Sequence, residues 1–237
     1  MRYNNTVKGI FVDRPNRFTA NVKINNQINT VHVKNTGRCR ELLIPGSEVI
    51  LERADNPDRK TKYDLVAVYS KHAGLVNIDS QAPNKVVKEW LMEKGISLIK
   101  PEYSYGKSRL DFYFEKNDSR CLMEVKGVTL IKNGSAYFPD APTQRGIKHL
   151  NELENAVKKG FKCYAAFVIQ AEGIDNIYPN METHPEFGEA LKNANNAGVK
   201  VLSLGCRVSE RELHIDREKE MKDLENPCTD RLERENV

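Results

Sequence analysis

The sequence predicts a small closed β-barrel followed by a mixed α/β domain, a fold of the α+β class. Two observations support this prediction: five short stretches of alternating apolar and polar residues fill the first 80 positions, and helical patterns alternate with apolar strands from about residue 84. A chain of 237 residues with 39% hydrophobic content is long enough to bury the cores of two modest domains. We therefore expect domains over residues 1–80 and 81–215, with a charged, flexible tail over residues 216–237.

The first domain is expected to contain five strands joined by short turns. The turns contain residues typical of chain reversal, for example Asn25-Asn26 and Pro45-Gly46. The expected strands span residues 7–13, 17–24, 29–35, 47–54 and 62–70. This number of short strands favours the five-stranded barrel that binds oligonucleotides, the OB fold.

The second domain is expected to alternate helices with strands. Asn84 has the residue type of a helix cap, and Gly95 provides the expected end of that helix. Two further helices are predicted over residues 143–159 and 185–196. The predicted strands span residues 108–115, 119–130, 135–140, 163–170 and 199–208. This alternation is typical of a mixed α/β domain.

Charge and composition restrict the function. Residues 1–80 carry 13 basic against 8 acidic side chains, residues 81–207 carry 18 against 15, and residues 208–237 carry 6 against 10. The mildly basic first part is compatible with a polyanionic partner such as nucleic acid. No apolar run approaches the roughly 20 residues of a membrane span, and the polar start lacks the apolar segment of a secretory signal, so we expect a cytoplasmic protein without membrane contact. The five cysteines are scattered and predict neither a zinc site nor a disulfide framework.

A pair of adjacent predicted strands carries the candidate catalytic residues Asp111, Glu124 and Lys126. Glu124 and Lys126 lie two positions apart, so they face the same side of a strand. Asp111 lies on the preceding strand, across a turn, and its carboxylate can share a Mg²⁺ or Mn²⁺ ion with that of Glu124. Lys126 would then orient an attacking water or stabilise charge on a phosphate. The competing interpretation is an ordinary salt-bridge ladder on a solvated sheet face.

Basic residues near the start of the helix predicted over residues 143–159 are candidate nucleic-acid contacts. Arg145, Lys148 and His149 recur at three- and four-residue steps on its polar face. The N–H groups and the positive end of the macrodipole at a helix N-terminus favour an anion, so Arg145 is well placed for a phosphate oxygen. A solvated helix face is the alternative interpretation.

Further candidate contacts lie on the barrel and on a strand of the second domain. The turn that begins at Asn35 projects Arg38 and Arg40 away from the barrel, where they would hold a phosphate backbone. Arg109, two positions before Asp111, is also expected to contact nucleic acid. The aromatic residues on the predicted barrel strands are Phe11, Phe18, Tyr63 and Tyr69. One or two of them would stack on unpaired bases, whereas filling of the barrel is the favoured role for most.

Several blocks of the sequence, in order and at fitting separations, resemble the signature blocks of the sugar fermentation stimulation protein A (SfsA) family. These blocks lie at residues 35–46, 78–84, 108–112, 124–130 and 138–153. The resemblance spans about residues 1–215. It implies an OB barrel followed by a domain similar to PD-(D/E)xK nucleases, together with DNA binding of little sequence preference. It also implies that Asp111, Glu124 and Lys126 form the D…ExK core, although Leu110 stands where such cores often have a proline.

An upstream acidic residue often completes such a site, and Glu89, Glu93 and Glu102 are the candidates. The expected function is binding of nucleic acid, foremost DNA, with low sequence specificity and with a Mg²⁺- or Mn²⁺-dependent phosphodiesterase site of the nuclease type. The alternative is a non-catalytic DNA-binding regulator of sugar-metabolism genes that uses an inactive nuclease fold. The complete D…ExK set favours the first function, because a pure binder has no physical need for two carboxylates that face a polyanion.

Overall fold

Five strands form the closed barrel predicted for the N-terminal part of the chain. The computed structural model describes residues 1–35, 37–56, 58–221 and 224. The barrel strands are β1 (Thr6–Asp13), β2 (Thr19–Ile24), β3 (Gln27–Val33), β4 (Glu48–Arg53) and β5 (Tyr63–Ser70). Their order is β3-β2-β1-β4-β5, and a parallel pairing of β3 with β5 closes the sheet on itself. This closure confirms the predicted OB barrel.

Alternating apolar residues place one face of each barrel strand in the interior. Val31 and Val33 on β3 and Leu65 on β5 are almost completely buried. Asn25 and Asn26 join β2 to β3 with φ of 47° and 64°. Two successive left-handed residues are what a two-residue hairpin turn of type I′ requires, and asparagine tolerates them well. Local turn chemistry therefore fixes the register in which β2 and β3 pair.

A short strand and a helix connect the barrel to the second domain. Strand β6 (Gly74–Asn77) pairs with β5, and helix α1 (Ala82–Glu93) follows. The predicted capping role of Asn84 is wrong, because the helix begins at Ala82, after Gln81, with Pro83 in its first turn. Proline is favoured there since its fixed φ suits the helix and its missing N–H would have no helical partner. The Asn84 side chain reaches a strand of the second domain instead.

The second domain contains strands and helices close to those predicted, with additional strands. Its elements are β7 (Ile99–Tyr105), β8 (Ser108–Lys116), β9 (Ser119–Val128), β10 (Leu130–Lys132), β11 (Ser135–Phe138), α2 (Gln144–Lys158), β12 (Lys162–Ile169), β13 (Ile177–Pro179), α3 (Pro185–Asn196), β14 (Lys200–Val208) and β15 (Leu213–Met221). Six strands form the main sheet in the order β15-β14-β12-β9-β8-β7, and β10, β11 and β13 form a small second sheet. The central strands β9, β12 and β14 pair in parallel, as expected for apolar strands buried on both faces.

Helices cover both faces of the main sheet. Helix α1 packs on one face, in the same apolar cluster as Met123 and Val125 of β9. Helix α2 packs on the other face, where Leu153 shares a cluster with Leu122. Because successive residues of a strand point to opposite faces, Glu124 points to the same side as Leu122. The candidate carboxylate of Glu124 therefore lies beneath α2.

The last described strand, β15, extends to Met221, whereas the sequence predicts a tail from residue 216. The strand pairs antiparallel with β14 at the edge of the main sheet. Leu213, Ile215 and Met221 are buried, and exposed charged side chains such as Asp216, Glu218 and Glu220 lie between them, as is typical of an edge strand. The tail boundary is therefore corrected to a position after Met221, and most of the remaining tail lies outside the described residues.

A buried polar network joins the barrel to the second domain. The Gln170 amide, directly after β12, donates to the Asn77 side-chain oxygen at 2.9 Å, to the Asn77 carbonyl at 3.1 Å and to the Asp79 carbonyl at 3.2 Å. The Asn77 amide in turn donates to the Tyr3 hydroxyl at 2.8 Å. All four residues are buried, and an unsatisfied buried polar group costs about 1–3 kcal/mol. These hydrogen bonds therefore stabilise one arrangement of the two domains.

Asp64 on β5 is a buried carboxylate surrounded by basic side chains. Arg59 donates two hydrogen bonds to it at 2.8 and 3.0 Å, His32 contacts it at 2.9 Å, and Lys34 lies 3.4 Å away. Burial alone would raise the pKa of Asp64, but these partners lower it to about 2 from an ordinary value of 3.8. Ionised Asp64 therefore stabilises the folded state above its ordinary pKa, and this contribution is lost as the pH falls through the folded-state value.

We expect Asp64→Asn to lower the free energy of unfolding at about pH 7 by roughly 2 kcal/mol, which corresponds to the lowered pKa. The difference from the parent protein should shrink as the pH falls from 3.8 and should disappear below about 2, where Asp64 is protonated in both states. Urea unfolding of the variant and the parent protein over this pH range measures the difference in the free energy of unfolding. Asp118→Asn, on an exposed turn, is the control, and a loss of stability that does not depend on pH would contradict the prediction.

The described cysteines are buried free thiols: Cys39, Cys121, Cys163 and Cys206. Burial raises the pKa of Cys39, Cys163 and Cys206 to about 12. These thiols stay protonated near neutral pH and are poor nucleophiles. The fifth cysteine, Cys228, lies outside the described residues.

Of the helices in the described ranges, none is long and apolar enough to cross a membrane.

Candidate functional site

Asp111 lies where strands β8 and β9 diverge. The pairing of the two strands ends at Phe112 and Met123. Asp111 directly precedes Phe112 in β8 and therefore lies just beyond the last pair. Its Oδ2 accepts a hydrogen bond from the Val125 N–H at 2.8 Å, and its Oδ1 accepts one from Asn84 Nδ2 at 2.8 Å. The carboxylate therefore takes the place of a backbone acceptor at the break in the ladder. Two donors from different elements fix its position.

Glu124 is the more deeply buried carboxylate of the site, with 4% of its surface exposed. Its Oε1 accepts a hydrogen bond from Lys126 Nζ at 2.6 Å and a short one from His149 Nδ1. Its Oε2 is buried without a hydrogen-bond partner in the described ranges of the chain. Such an unpaired oxygen is unfavourable. A cation bound at this oxygen would satisfy it.

The two carboxylates influence each other's ionisation. Burial raises the pKa of Asp111, and the negative charge of Glu124 raises it further. Burial would also raise the pKa of Glu124. The hydrogen bonds from His149 and Lys126 outweigh this effect and hold the pKa of Glu124 below its ordinary value. A cation near both groups would favour the charged form of each. The arrangement is thus electrostatically suited to a positive ion.

The sequence predicts that His149 faces the solvent as a nucleic-acid contact, but the structure places it in the interior. It is 4% exposed, its Nδ1 contacts Glu124, and its Nε2 accepts from Arg145 Nε at 3.4 Å. The reason is helical geometry: His149 lies three residues after Gly146 and four before Leu153, and these two residues belong to the buried face of α2. His149 therefore orients Glu124, and Arg145 holds the other side of the imidazole ring.

The other predicted contacts of the second domain lie near this centre but bind other groups. Arg145 is exposed at the first turn of α2, where Thr143 caps the helix through a hydrogen bond from the Gly146 N–H at 3.0 Å. Lys148 donates to the Lys107 carbonyl at 3.0 Å. Arg109 is 61% exposed and lies 3.6 Å from Glu102. Only Arg145 is connected to the carboxylates, through His149.

The acidic candidates upstream of the site lie elsewhere. Glu89 pairs with the N-terminal ammonium of Met1 at 2.6 Å, and Glu93 lies 3.9 Å from His214. Glu102 pairs with Arg109 on the exposed edge of the sheet. None of the three contacts Asp111 within the described chain, and the residue of α1 that does so is Asn84. Sequence reasoning missed Asn84 because a polar residue near a helix start is equally typical of a cap.

The donor set fits a hard divalent cation held by two carboxylates. Asp111 and Glu124 supply oxygen atoms, the ligands that Mg²⁺ and Mn²⁺ prefer. Mg²⁺ usually uses only one or two protein carboxylates and takes its remaining ligands from water and phosphate. Across residues 1–35, 37–56, 58–221 and 224, no three His, Cys, Asp or Glu side chains form a metal-binding group. The residues therefore fit an ion that keeps solvent or substrate oxygens among its ligands.

Arg14 organises the basic loop of the barrel, a role that no sequence pattern predicts. Its guanidinium donates to four backbone carbonyls, those of Gly37 at 2.7 Å, Arg38 at 2.9 Å, Arg17 at 2.7 Å and Asn35 at 2.5 Å. These carbonyls belong to the turn between β1 and β2 and to the loop after β3. Arg14 therefore ties the two segments together. The exposed side chains of Arg38 and Arg40 project from this ordered loop.

A cleft of about 1120 Å³ separates the basic loop from the second domain. Three exposed arginines, Arg17, Arg38 and Arg40, line its barrel side. The end of β9 lines the other side through Gly127 and the residues after it. Gly127 directly follows Lys126, so the strand that carries Glu124 and Lys126 also lines the cleft at its end.

The four aromatic residues of the predicted barrel strands differ in their exposure to solvent. Phe11 is 2% exposed in the core, and Tyr63 packs against that core. The Tyr69 hydroxyl donates to Glu210 at 2.9 Å. Phe18 is 55% exposed. Phe18 alone is therefore available to stack on a base.

Together, the fold and the site define a two-domain protein in which an OB barrel precedes an α/β domain. Residues 12–78 match the family described as the SfsA N-terminal OB domain. Residues 81–212 match the family described as the sugar fermentation stimulation protein RE domain. The chain belongs to the sugar fermentation stimulation protein (SfsA) family, as the sequence resemblance predicts.

Similar proteins come from several organisms. The sugar fermentation stimulation protein homolog of Ruminiclostridium cellulolyticum is 49% identical over 227 residues, which cover 94% of this chain and 100% of the relative. That of Desulfitobacterium hafniense is 52% identical over 214 residues, 89% of this chain and 93% of the relative. The solved structure of Pyrococcus furiosus SfsA in complex with Ca²⁺ is similar, with a TM-score of 0.80 and 29% identity over 92% of this chain and 96% of that chain.

Proposed function

We propose that this protein binds nucleic acid with low sequence specificity and cleaves phosphodiester bonds, with a divalent metal ion, at the site formed by Asp111 and Glu124. The observation that carries this proposal is the buried, unpaired Oε2 of Glu124 in a site that also holds a second carboxylate and a lysine. Two carboxylates repel a phosphate. A site that only binds a polyanion gains nothing from them unless a cation is present.

Asp111 and Glu124 are the residues that would hold the ion, Mg²⁺ or Mn²⁺. When bound, such an ion polarises a phosphate oxygen and lowers the pKa of a coordinated water. The relative from Pyrococcus furiosus was solved in complex with Ca²⁺, which supports the proposal that this chain also binds a divalent cation.

The remaining groups of the site position the carboxylates and supply positive charge. Lys126 Nζ, 2.6 Å from Glu124 Oε1, brings a proton donor and a cation to the place where charge develops on a phosphate during hydrolysis. His149 holds the Glu124 carboxylate, and the Asn84 amide holds that of Asp111. Because these contacts exist before substrate binds, little reorganisation is needed for the reaction.

Nucleic-acid binding is assigned to arginines of the barrel loop and of helix α2. Arg38 and Arg40 lie on the barrel loop, and Arg145 lies at the N-terminus of α2. The macrodipole and the terminal N–H groups of that helix favour a phosphate beside Arg145. Phosphate contacts position a polymer but carry no sequence information directly. Low sequence specificity is therefore expected.

We expect Arg145→Ala to weaken binding by a similar factor on all sequences and to reduce the salt dependence by about one phosphate contact. Fluorescence anisotropy with oligonucleotides of unrelated sequence, at a series of salt concentrations, measures both effects. Lys158→Ala removes a charge from the other end of α2 and is the control. An unchanged salt slope would remove Arg145 from the binding surface. Failure of the parent protein to bind any nucleic acid would contradict the proposed function.

A further inference from the structure

We propose that the barrel side of the interdomain cleft, together with the adjoining barrel surface that carries Phe18, binds an unpaired nucleic-acid strand, with Phe18 stacked on a base and with Arg17 and Arg38 on neighbouring phosphates. This inference rests on the proposed function and goes further, because it specifies the strand state of the polymer. It also assigns roles to Phe18 and Arg17 that the carboxylate site does not require.

Phe18 is a solvent-exposed aromatic residue whose backbone is held by hydrogen bonds. It is 55% exposed, and among the described Phe, Tyr and Trp residues it is the most exposed. Its backbone is fixed on both sides: its N–H donates to Asn16 Oδ1 at 2.8 Å, and its carbonyl accepts from the Val33 N–H at 2.8 Å. A ring with two side-chain torsions on a fixed backbone loses little conformational entropy when a partner stacks on it. Phe18 is therefore preorganised as a stacking platform.

Arg17 directly precedes Phe18 in the turn before β2, and Arg38 lies on the loop that Arg14 ties to this turn. Within the described chain, the side chains of Arg17, Arg38 and Arg40 form no ion pair or hydrogen bond, and all three are exposed. The guanidinium of Arg14 donates to the carbonyls of Arg17 and Arg38 and so holds the two segments at a fixed separation. Arginines without an ion-pair partner, on segments that Arg14 ties together, are complementary to phosphates along a strand.

The mixture of charges in the cleft favours a single strand over a duplex. The exposed carboxylates Glu41 and Asp140 line the same cleft as the three arginines. The outer surface of a duplex presents phosphates at short, regular intervals, and these phosphates would be repelled by the two carboxylates. An unpaired strand also presents base edges, whose amino groups can donate to a carboxylate.

Stacking on Phe18 requires an unpaired base as well. In a duplex each base face is covered by its neighbours, so an aromatic side chain reaches it only by kinking the helix. On a single strand every base exposes a face, and stacking on an aromatic ring is tolerant of sequence. The exposed position of Phe18 directly before β2, next to Arg17 in the chain, suits this second case.

The decisive experiment compares Phe18 variants on single-stranded and duplex oligonucleotides of the same sequence, as DNA and as RNA, by fluorescence anisotropy. We expect the parent protein to bind the single strand more tightly than the duplex. Phe18→Ala and Phe18→Leu should weaken single-strand binding at least about fivefold, whereas Phe18→Tyr should retain it. Ile28→Ala removes a side chain that is 60% exposed at the opposite end of the β2–β3 hairpin and should bind like the parent.

The outcomes separate this inference from the proposed function. Equal weakening of single-strand and duplex binding by Phe18→Ala, or no weakening of either, would overturn the stacking role of Phe18. Tighter binding of the duplex by the parent would overturn the assignment of an unpaired strand and leave the proposed function standing. Failure to bind any of the four polymers would overturn both. The DNA and RNA arms identify the sugar that the cleft accepts.

Discussion

Glu124→Gln is expected to abolish metal-dependent cleavage while nucleic-acid binding stays intact or becomes tighter. A neutral amide is a poorer ligand for a hard cation than a carboxylate. Changes to the partners of a metal ligand already cost roughly 10–100-fold in affinity or activity, so loss of the ligand itself should exceed a hundredfold. Binding is spared because the substitution removes a negative charge near the phosphates.

Three measurements separate the effects of Glu124→Gln: calorimetric titration with Mn²⁺, cleavage of labelled oligonucleotides, and anisotropy for binding. Mn²⁺ binding and cleavage should be lost together. Glu189→Gln, at an exposed position of α3, changes the same charge away from the site and should behave like the parent. Cleavage at the parental rate by Glu124→Gln, or unchanged Mn²⁺ binding, would show that Glu124 is not a metal ligand.

Gly127→Ala is expected to destabilise the protein by about 1–3 kcal/mol, the usual cost of overpacking a filled interior. A Cβ atom at this position would lie 2.4 Å from Gln170 Oε1 and 2.7 Å from Pro83 Cγ, closer than real Cβ contacts. Gln170 joins the two domains through the buried polar network, and Pro83 lies in the first turn of α1 beside Asn84. The substitution therefore strains the domain contact and the helix that supports Asp111 together.

Urea unfolding of a double-mutant cycle tests the cause of this loss. If the contact with Gln170 is responsible, Gly127→Ala should cost less free energy in a Gln170→Ala background than in the parent. If Pro83 dominates, the cost should be the same in both backgrounds. Parental stability of Gly127→Ala would contradict the close packing of this position.

The central residues of the site were predictable because their arrangement is local. Glu124 and Lys126 share a face through the two-residue period of a strand, and Asp111 lies on the preceding strand of the same hairpin. The hairpin brings the three side chains together without help from the rest of the chain. The barrel was predictable for a related reason, since turn residues and alternation mark each of its strands.

The residues that support the site were not predictable, because their roles depend on tertiary contacts. His149 belongs to the polar residues of its helix by type and is buried only because α2 places it over Glu124. Arg14 resembles any surface arginine until the turn and the loop come together around its guanidinium. The end of β15 is an edge strand, where the exposed charged residues conceal the alternation of the buried ones.

The measurement that tests the central claim most directly is cleavage of end-labelled single-stranded and duplex DNA and RNA by the purified protein, with Mg²⁺, Mn²⁺ or a chelator. Lys126→Ala, purified in parallel, excludes a contaminating nuclease. We predict cleavage that requires the metal ion and is lost in Lys126→Ala. Binding without cleavage by the parent protein under every condition, or equal cleavage by the variant, would contradict a catalytic role for this site. The first of these results would favour a protein that uses the fold only to bind nucleic acid.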